Sequence, residues 1–188
     1  MIINYADLEN TRIISIHHEG TIARVGDMYF DNEQLRLVAV KTLVTKLILL
    51  TDNIREVSKL GLVINGLDSL IHINDLVRWP QITESCVNPV KMKVYTQSNR
   101  YLGKVNDCQI DTVDLSISKI HVTPTWKIRI KHTSLIINRS QIIDVDKDKF
   151  VVSDNWSNSA VKSKLFQKAQ SSVSLSPANP STTDAADL

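Results

Sequence analysis

Two stretches of the chain carry one pattern: Ile22-Ala-Arg-Val-Gly-Asp-Met-Tyr-Phe-Asp31 and Leu102-Gly-Lys-Val-Asn-Asp-Cys-Gln-Ile-Asp111, at a constant offset of 80 residues. The register continues beyond both stretches without a gap, so that Leu35 aligns with Leu115. A fixed period with matched chemical character is typical of two copies of one structural unit. The sequence therefore predicts a duplicated architecture, which we describe as unit 1 followed by unit 2.

A second pair of matching segments closes each unit. Ile54 aligns with Ile142, and Leu62-Val63-Ile64 aligns with Phe150-Val151-Val152, at an offset that has grown to 88 residues. Unit 2 therefore gains eight residues between its two anchors. Loops accept insertions at lower cost than strands, so we expect the extra residues to lengthen a hairpin around Thr123-Pro124-Thr125.

The spacing of apolar runs predicts the fold class. Short apolar runs alternate with polar turn clusters throughout both units, a pattern typical of small barrels or sandwiches. The sequence predicts a mainly β protein made of two tandem small antiparallel β-barrels, with a short helix and a disordered C-terminal tail. The predicted divisions are a first domain at 10–75, a connector at 76–89, a second domain at 90–153 and a tail at 154–188.

The tail differs in composition from the rest of the chain. Residues 171–188 are poor in apolar side chains and rich in Ser, Ala, Thr and Pro, which predicts disorder. Before them, Val161, Leu165, Phe166 and Ala169 fall at helical spacing with lysines between them. This pattern predicts a short amphipathic helix that either packs on its own barrel or docks on a partner or a membrane surface.

Charge and cysteine content limit the class of protein. Residues 1–89 hold 8 Lys/Arg against 11 Asp/Glu, a net of −3, whereas residues 90–152 hold 11 against 6, a net of +5. This asymmetry either favours docking of the units on each other or reflects drift between the copies. Cys86 and Cys108 are isolated, which fits a reducing compartment. Without a secretory signal or a spanning apolar run, the sequence predicts a cytoplasmic protein with no transmembrane segment.

The residues of unit 2 resemble the PRC-barrel family. Residues 90–111, 136–145 and 149–152 follow that family's outline of a strand, a turn, a second strand ending in Asp, a hairpin and a closing strand. The matching positions are Leu102, Gly103, Lys104, Val105, Asp107, Asp111, Ile142 and Val151. Unit 1 is similar but has Ala23 in place of the glycine. The family includes the photosynthetic reaction centre H subunit and the C-terminal domain of the ribosome maturation factor. The resemblance implies a barrel scaffold and no particular reaction.

The motif residues themselves favour structural roles. Asp107 and Asp111 lie four residues apart, which on a strand separates them by about 13 Å, too far for a catalytic carboxylate pair. We expect Asp107 and Asp111 to accept hydrogen bonds from backbone N–H groups at turns. Asp27 and Asp31 hold the matching motif positions in unit 1, where we also expect a structural role. Gly103 is expected at a bulge or a close approach of two strands.

No pattern in the sequence predicts catalysis, a cofactor or a metal. His17 and His18 are adjacent and therefore point to opposite faces of a strand, and the other histidines lack ligand spacing. No phosphate-binding loop, dinucleotide motif or nucleophile elbow occurs. The sequence therefore predicts a protein that is not an enzyme.

Two features are candidates for partner contact. The stretch Trp126-Lys-Ile-Arg-Ile-Lys131 alternates, which predicts a strand whose cations share one face. These cations are Lys127, Arg129 and Lys131. They either contact RNA phosphates or form a solvated strand face, and we favour the solvated face because no aromatic residue is interleaved on it. Trp79 either anchors a partner or pins the connector against a barrel.

Three functional classes follow, in order of preference. The first is a non-catalytic scaffold or adaptor that binds another protein or a membrane-associated complex. The alternative is a ribosome-assembly or RNA-associated factor, by resemblance to the maturation factor. An enzyme is the third class and has the least support in the sequence.

Overall fold

The computed structural model describes residues 1–130 and 134–156, and of residues 127 and 129 the backbone alone. The chain is mainly β, as the sequence predicts, and its strands form two curled sheets, each a half-barrel. The predicted amphipathic helix at 161–169 and the predicted disorder at 171–188 lie outside the described residues. No described helix has the length and apolarity of a membrane span.

The chain begins with strand β1 (Ile2–Asn4) and helix α1 (Tyr5–Leu8). The strands of unit 1 follow: β2 (Arg12–Ser15), β3 (Gly20–Asp31), β4 (Leu37–Thr42), β5 (Leu47–Leu50), β6 (Ile54–Ser58), β7 (Gly61–Ile64) and β8 (Leu70–His72). Helix α2 (Trp79–Ser85) and strand β9 (Cys86–Val87) occupy the connector. Unit 2 contains β10 (Lys93–Thr96), β11 (Tyr101–Asp111), β12 (Ile117–Pro124), α3 (Trp126–Arg129), β13 (Leu135–Asn138), β14 (Ile142–Val145) and β15 (Lys149–Val152).

The two sheets have the same strand order where the units correspond. Unit 1 runs β6-β7-β2-β3-β4-β5-β8, and unit 2 runs β14-β15-β10-β11-β12-β13. Most strand pairings are antiparallel, as the sequence predicts, and one pairing in each unit is parallel: β2 with β7, and β10 with β15. The parallel pair arises where the sheet curls round and brings a late strand beside the first one. Arg12 thus pairs with Gly61, and Lys93 pairs with Lys149.

The segment that precedes each unit adds a strand to the other unit. Strand β1 pairs with β11 of unit 2, where Ile3 lies opposite Ile110. Strand β9 pairs with β3 of unit 1, where Val87 lies opposite Phe30. Both strands lie outside the predicted domains at 10–75 and 90–153. The boundaries of these domains stay a prediction. This reciprocal exchange joins the two sheets through backbone hydrogen bonds.

A backbone bridge joins equivalent positions of the two units. Leu37 N donates to Leu115 O at 2.9 Å, and Ile117 N donates to Leu35 O at 2.9 Å. These bonds flank a bridge between Arg36 and residue 116, which are related by the 80-residue offset. Leu35 and Leu115 also share a positive φ, 53° and 55°. The reciprocal bonds place an approximate two-fold axis at this bridge, and buried side chains of both units form one continuous core.

The eight-residue insertion lies in the connection from β12 to β13, as the sequence predicts. The predicted strand across Trp126-Lys-Ile-Arg-Ile-Lys131 is wrong, because Trp126–Arg129 forms helix α3. Pro124 ends β12 and the chain turns away from the sheet, so the alternating side chains do not share one strand face. Ile128 is buried at 5% exposure, whereas Trp126 at the start of the helix and Ile130 just after its end are 70% and 79% exposed.

Candidate interaction surface

The acids that end the repeated motif, Asp31 and Asp111, accept hydrogen bonds from the turns that follow them. The carboxylate of Asp31 accepts hydrogen bonds from the backbone N–H groups of Glu33 at 3.1 Å, Gln34, and Arg36 at 2.9 Å. Asp111 accepts one such bond from Val113 at 2.9 Å. Each acid therefore satisfies donors that would otherwise be unpaired in the turn that follows its strand.

Asp27 and Asp107 contact the segments that cross between the units. Asp107 Oδ1 accepts from Ala6 N at 3.1 Å and Cys108 N at 2.8 Å. Asp27 lies 3.5 Å from the Asn88 side-chain amide, and its Oδ2 is 4.0 Å from Lys41 Nζ. Each acid thus holds the segment that has just crossed to its sheet. These contacts give both acids a positioning role.

Tyr5 lies where these crossing segments meet unit 1. Its ring is buried, and its hydroxyl oxygen accepts a hydrogen bond from Met28 N at 3.4 Å. Burial raises the pKa of Tyr5 to about 12, against the opposing effects of the Met28 and Asn88 hydrogen bonds. Burial likewise raises the pKa of the Cys108 thiol, with a smaller contribution from Asp107. Both groups stay neutral at ordinary pH, as expected for side chains packed in the core.

Gly103 stands at both features that the sequence predicts for it. The pairing of β10 with β11 shifts register next to Gly103, which is a bulge. Its φ is +154°, and a Cβ at this position would lie 2.0 Å from Thr123 O in the neighbouring strand. Only glycine permits this approach of β11 to β12.

Trp79 begins helix α2 and packs against unit 1. Its ring meets Tyr29 of β3 edge to face, with centroids 5.2 Å apart and an interplanar angle of 81°. Trp79 is half-buried in this contact. The geometry matches the second interpretation of Trp79 in the sequence, in which it pins the connector against a barrel.

A cleft of about 410 Å³ separates α2 from the β4 and β5 region. Arg36 Nη2 lies 3.7 Å from Asp114 Oδ2 at its margin. Slight burial raises the pKa of Asp114, but hydrogen bonds from Ser116 and the charge of Arg36 outweigh it, and the pKa is lowered overall. Arg78 and Asp52 also line the cleft, so positive and negative side chains are matched. The cleft therefore has no excess charge with which to select an ionic ligand.

Within residues 1–130 and 134–156, no three His, Cys, Asp or Glu side chains come close enough to hold a metal ion. The described part of the chain instead presents an exposed apolar pair, Trp126 and Ile130, on the surface of unit 2. The backbone of residues 127 and 129 lies between them, whereas Lys131 is outside the described residues. We call Trp126, Ile130 and the intervening helix the α3 surface.

The sequence contained a signal for this surface that its alternating pattern masked. Thr125 precedes the helix in extended conformation, at the N-cap position where threonine is preferred, and it follows Pro124. A threonine immediately before a helical stretch is a signal for a helix start. The partner-binding role of Lys127, Arg129 and Lys131 stays a prediction.

Comparison with models of known families and with curated proteins found no match for the chain. The resemblance to the PRC-barrel family therefore depends on the motif residues named above.

Proposed function

We propose that the protein is a non-catalytic adaptor of the PRC-barrel type that binds a protein partner through the α3 surface of unit 2. The observation that carries this proposal is the insertion. The two units share their strand order, and unit 2 adds a helix that exposes two large apolar side chains. Because both cysteines are free and buried, a reducing, cytoplasmic setting suits the proposal.

The composition of the α3 surface suits a protein partner. Tryptophan is enriched among the residues that dominate binding energy at protein interfaces. Trp126 and Ile130 are four residues apart, so they lie on the same side of the helical turn. Lys127, Arg129 and Lys131 add positive charge to the same stretch of sequence. The partner surface is therefore expected to be an apolar patch with an acidic rim, since opposite charges around an apolar centre steer association.

Unit 1 provides a matched control for the test. Its equivalent hairpin exposes Leu43 at 52% and Val44 at 89%. The full-length chain and two double variants, Trp126→Ser/Ile130→Ser and Leu43→Ser/Val44→Ser, are used to capture partners from native extract, followed by quantitative mass spectrometry and cross-linking. We expect one partner whose capture falls at least tenfold for the first variant and is unchanged for the second. Equal capture by both variants, with equal thermal stability, contradicts the proposal.

The alternative function is an RNA-associated role, which the net charge of +5 in residues 90–152 favours. Described cations of this unit are partly matched by acids, because Lys93 Nζ lies 3.6 Å from Asp148 Oδ2 and Lys149 Nζ lies 3.6 Å from Asp146 Oδ2. An electrophoretic shift series on total RNA at several salt concentrations tests it. A phosphate-binding surface predicts that each cation reversed to Glu at 127, 129 and 131 lowers the salt slope by roughly 0.7–0.9. We expect no salt-sensitive complex at physiological ionic strength.

A further inference from the structure

Corresponding strands in the two units differ in what lies along their outer edges. In unit 1, β5 pairs with β4 on one side and with β8 on the other, with Ile48 opposite Ile71. The corresponding strand of unit 2 is β13, which pairs with β12. No strand from the described ranges lies along its other edge. Among the described residues, β13 is thus an end strand at the position where unit 1 has an added strand.

The hydrogen-bonding groups on this edge can be assigned from two contacts. Asn138 N donates to the Gln141 side chain at 3.0 Å, and Gln141 lies outside β12. Backbone groups alternate in direction along a strand, so the N–H and C=O of Ile136, two residues earlier, also point away from β12. The backbone groups of unit 1 alternate in the same way, since the C=O of Lys46 points away from β4 and accepts from Ile73 N at 2.8 Å. Ile136 thus corresponds to Ile48, and Ser134 corresponds to Lys46.

This edge lacks the charges that usually block strand addition. Sheet edges are commonly protected by charged side chains or by very short strands. The end strands β6 and β14 carry Arg55 and Glu56, and Asp144, respectively. Strand β13 reads Leu-Ile-Ile-Asn and carries no charged side chain, and it has the same length as β5, which does accept a strand. Its side chains and its open backbone groups are those of a strand that accepts another strand.

The chain's own sequence does not repeat the strand that covers β5. Leu70-Ile71-His72 forms β8 in unit 1, and residues 158–160, at the offset of 88, read Asn-Ser-Ala. The route up to that point is similar, because the Asn53 side chain donates to Ser69 O at 3.2 Å and the Gln141 side chain donates to Trp156 O at 3.5 Å. The residues at this offset are therefore apolar after β7 and small or polar after β15.

We infer that β13 accepts an extended, apolar segment of a protein partner as an antiparallel strand, in the manner in which β5 accepts β8. This inference rests on the proposed adaptor function and names the form of its partner. The added strand pairs its backbone with Ile136 and Ser134. The α3 surface immediately precedes β13 in the chain, so the partner contacts the helix and the strand edge together.

The test uses a peptide that matches the known occupant of the sister edge. The probe is Leu67-Asp-Ser-Leu-Ile-His-Ile-Asn74, and its matched control carries an N-methyl group on the amide of Ile71, which removes one donor and leaves every side chain in place. Binding to the full-length, isotope-labelled chain is followed by NMR. We expect shifts of the Ser134 and Ile136 amides that saturate, and at least tenfold weaker binding of the methylated peptide. This arm needs no protein variant.

Two protein variants add an independent arm. Ile136→Pro removes the outward N–H at a position where an edge strand tolerates proline, and Ile136→Val keeps it. We expect Ile136→Pro to abolish peptide binding and Ile136→Val to retain it, with native amide protection in β11 for both. Equal peptide binding by the two folded variants, or by the two peptides, overturns the inference.

Other occupants of the edge give distinct results. Protection of the Ile136 amide from exchange in the free, monomeric chain means that residues 157–188 cover the edge, and this overturns the inference. A concentration-dependent dimer that Ile136→Pro dissociates assigns the edge to a second copy, and also overturns it. If a partner is captured through the α3 surface equally by Ile136→Pro, strand addition fails while the adaptor function stands. If nothing is captured through the α3 surface, the proposed function itself fails.

Discussion

Gly103→Ala is the substitution whose effect follows most directly from the structure. The added Cβ would lie 2.0 Å from Thr123 O and 2.9 Å from Pro124 Cα, far inside van der Waals contact, and the backbone φ of +154° is one that side chains rarely adopt. The two clashing atoms belong to the backbone of β12, so they cannot rotate away as a side chain could. Ala23 holds the equivalent position in unit 1 without a positive φ, so its presence does not predict tolerance at Gly103.

The expected cost combines the two obstacles. Backbone strain of this kind costs about 1–3 kcal/mol, and forced displacement of a packed neighbour costs about 1–3 kcal/mol. We expect Gly103→Ala to lower the free energy of unfolding by about 3 kcal/mol, which for a chain of this size lowers Tm by roughly 6–12 °C. Gly103→Val should lower the free energy of unfolding little further than Gly103→Ala, because the clash occurs at Cβ itself.

Gly20 in β3 is the matched control. A Cβ there would meet His18 O at 3.6 Å, an ordinary contact. Gly20→Ala should therefore leave the free energy of unfolding unchanged or raise it by up to about 1 kcal/mol. Chemical denaturation followed by circular dichroism measures both variants. Equal midpoints for Gly103→Ala and Gly20→Ala would refute the steric argument.

The remaining predictions concern the strand that crosses between the units, the acids that accept hydrogen bonds at turns, and the buried cysteines. Ile3→Ser removes a buried side chain of β1, and we expect it to speed amide exchange in β11 of unit 2, which native-state hydrogen exchange detects; effects confined to unit 1 would contradict the strand exchange. Asp31→Ala leaves three N–H groups without their acceptor and should cost about 1–2 kcal/mol, more than Asp111→Ala, which frees one; equal denaturation midpoints would count against this difference. Cys108, whose thiol pKa is raised by burial, should react with a thiol reagent at pH 8 more slowly than Cys86 in the native protein and equally fast in urea; fast native labelling of Cys108 would show that the core opens.

The repeat predicted that the strands of the two units correspond, because buried apolar positions must recur wherever the same sheet recurs. The alignment at offsets of 80 and 88 residues placed the inserted residues in the connection from β12 to β13, where the structure has α3. The glycine itself predicted a bulge or a close approach at Gly103, and the structure has both. These features depend on local backbone geometry, which residue type expresses directly.

Features that depend on contacts between distant segments were not predictable in the same way. Strands β1 and β9 are three and two residues long, too short for an alternating pattern, and their partners are in the other unit. The parallel pairs result from curling of the whole sheet, which no local pattern encodes. The α3 surface was missed because an alternating sequence was assigned to a strand, whereas the chain forms a helix after Thr125.

Hydrogen exchange of the full-length chain, free and in complex with the partner captured through the α3 surface, tests the adaptor account most directly. The account predicts that amides of the described residues between 126 and 138 exchange more slowly in the complex, with the largest change at Ile136. It predicts no change at residues 42–50, the equivalent region of unit 1. Slower exchange confined to unit 1, or a complex that leaves α3 and β13 unchanged, would contradict it.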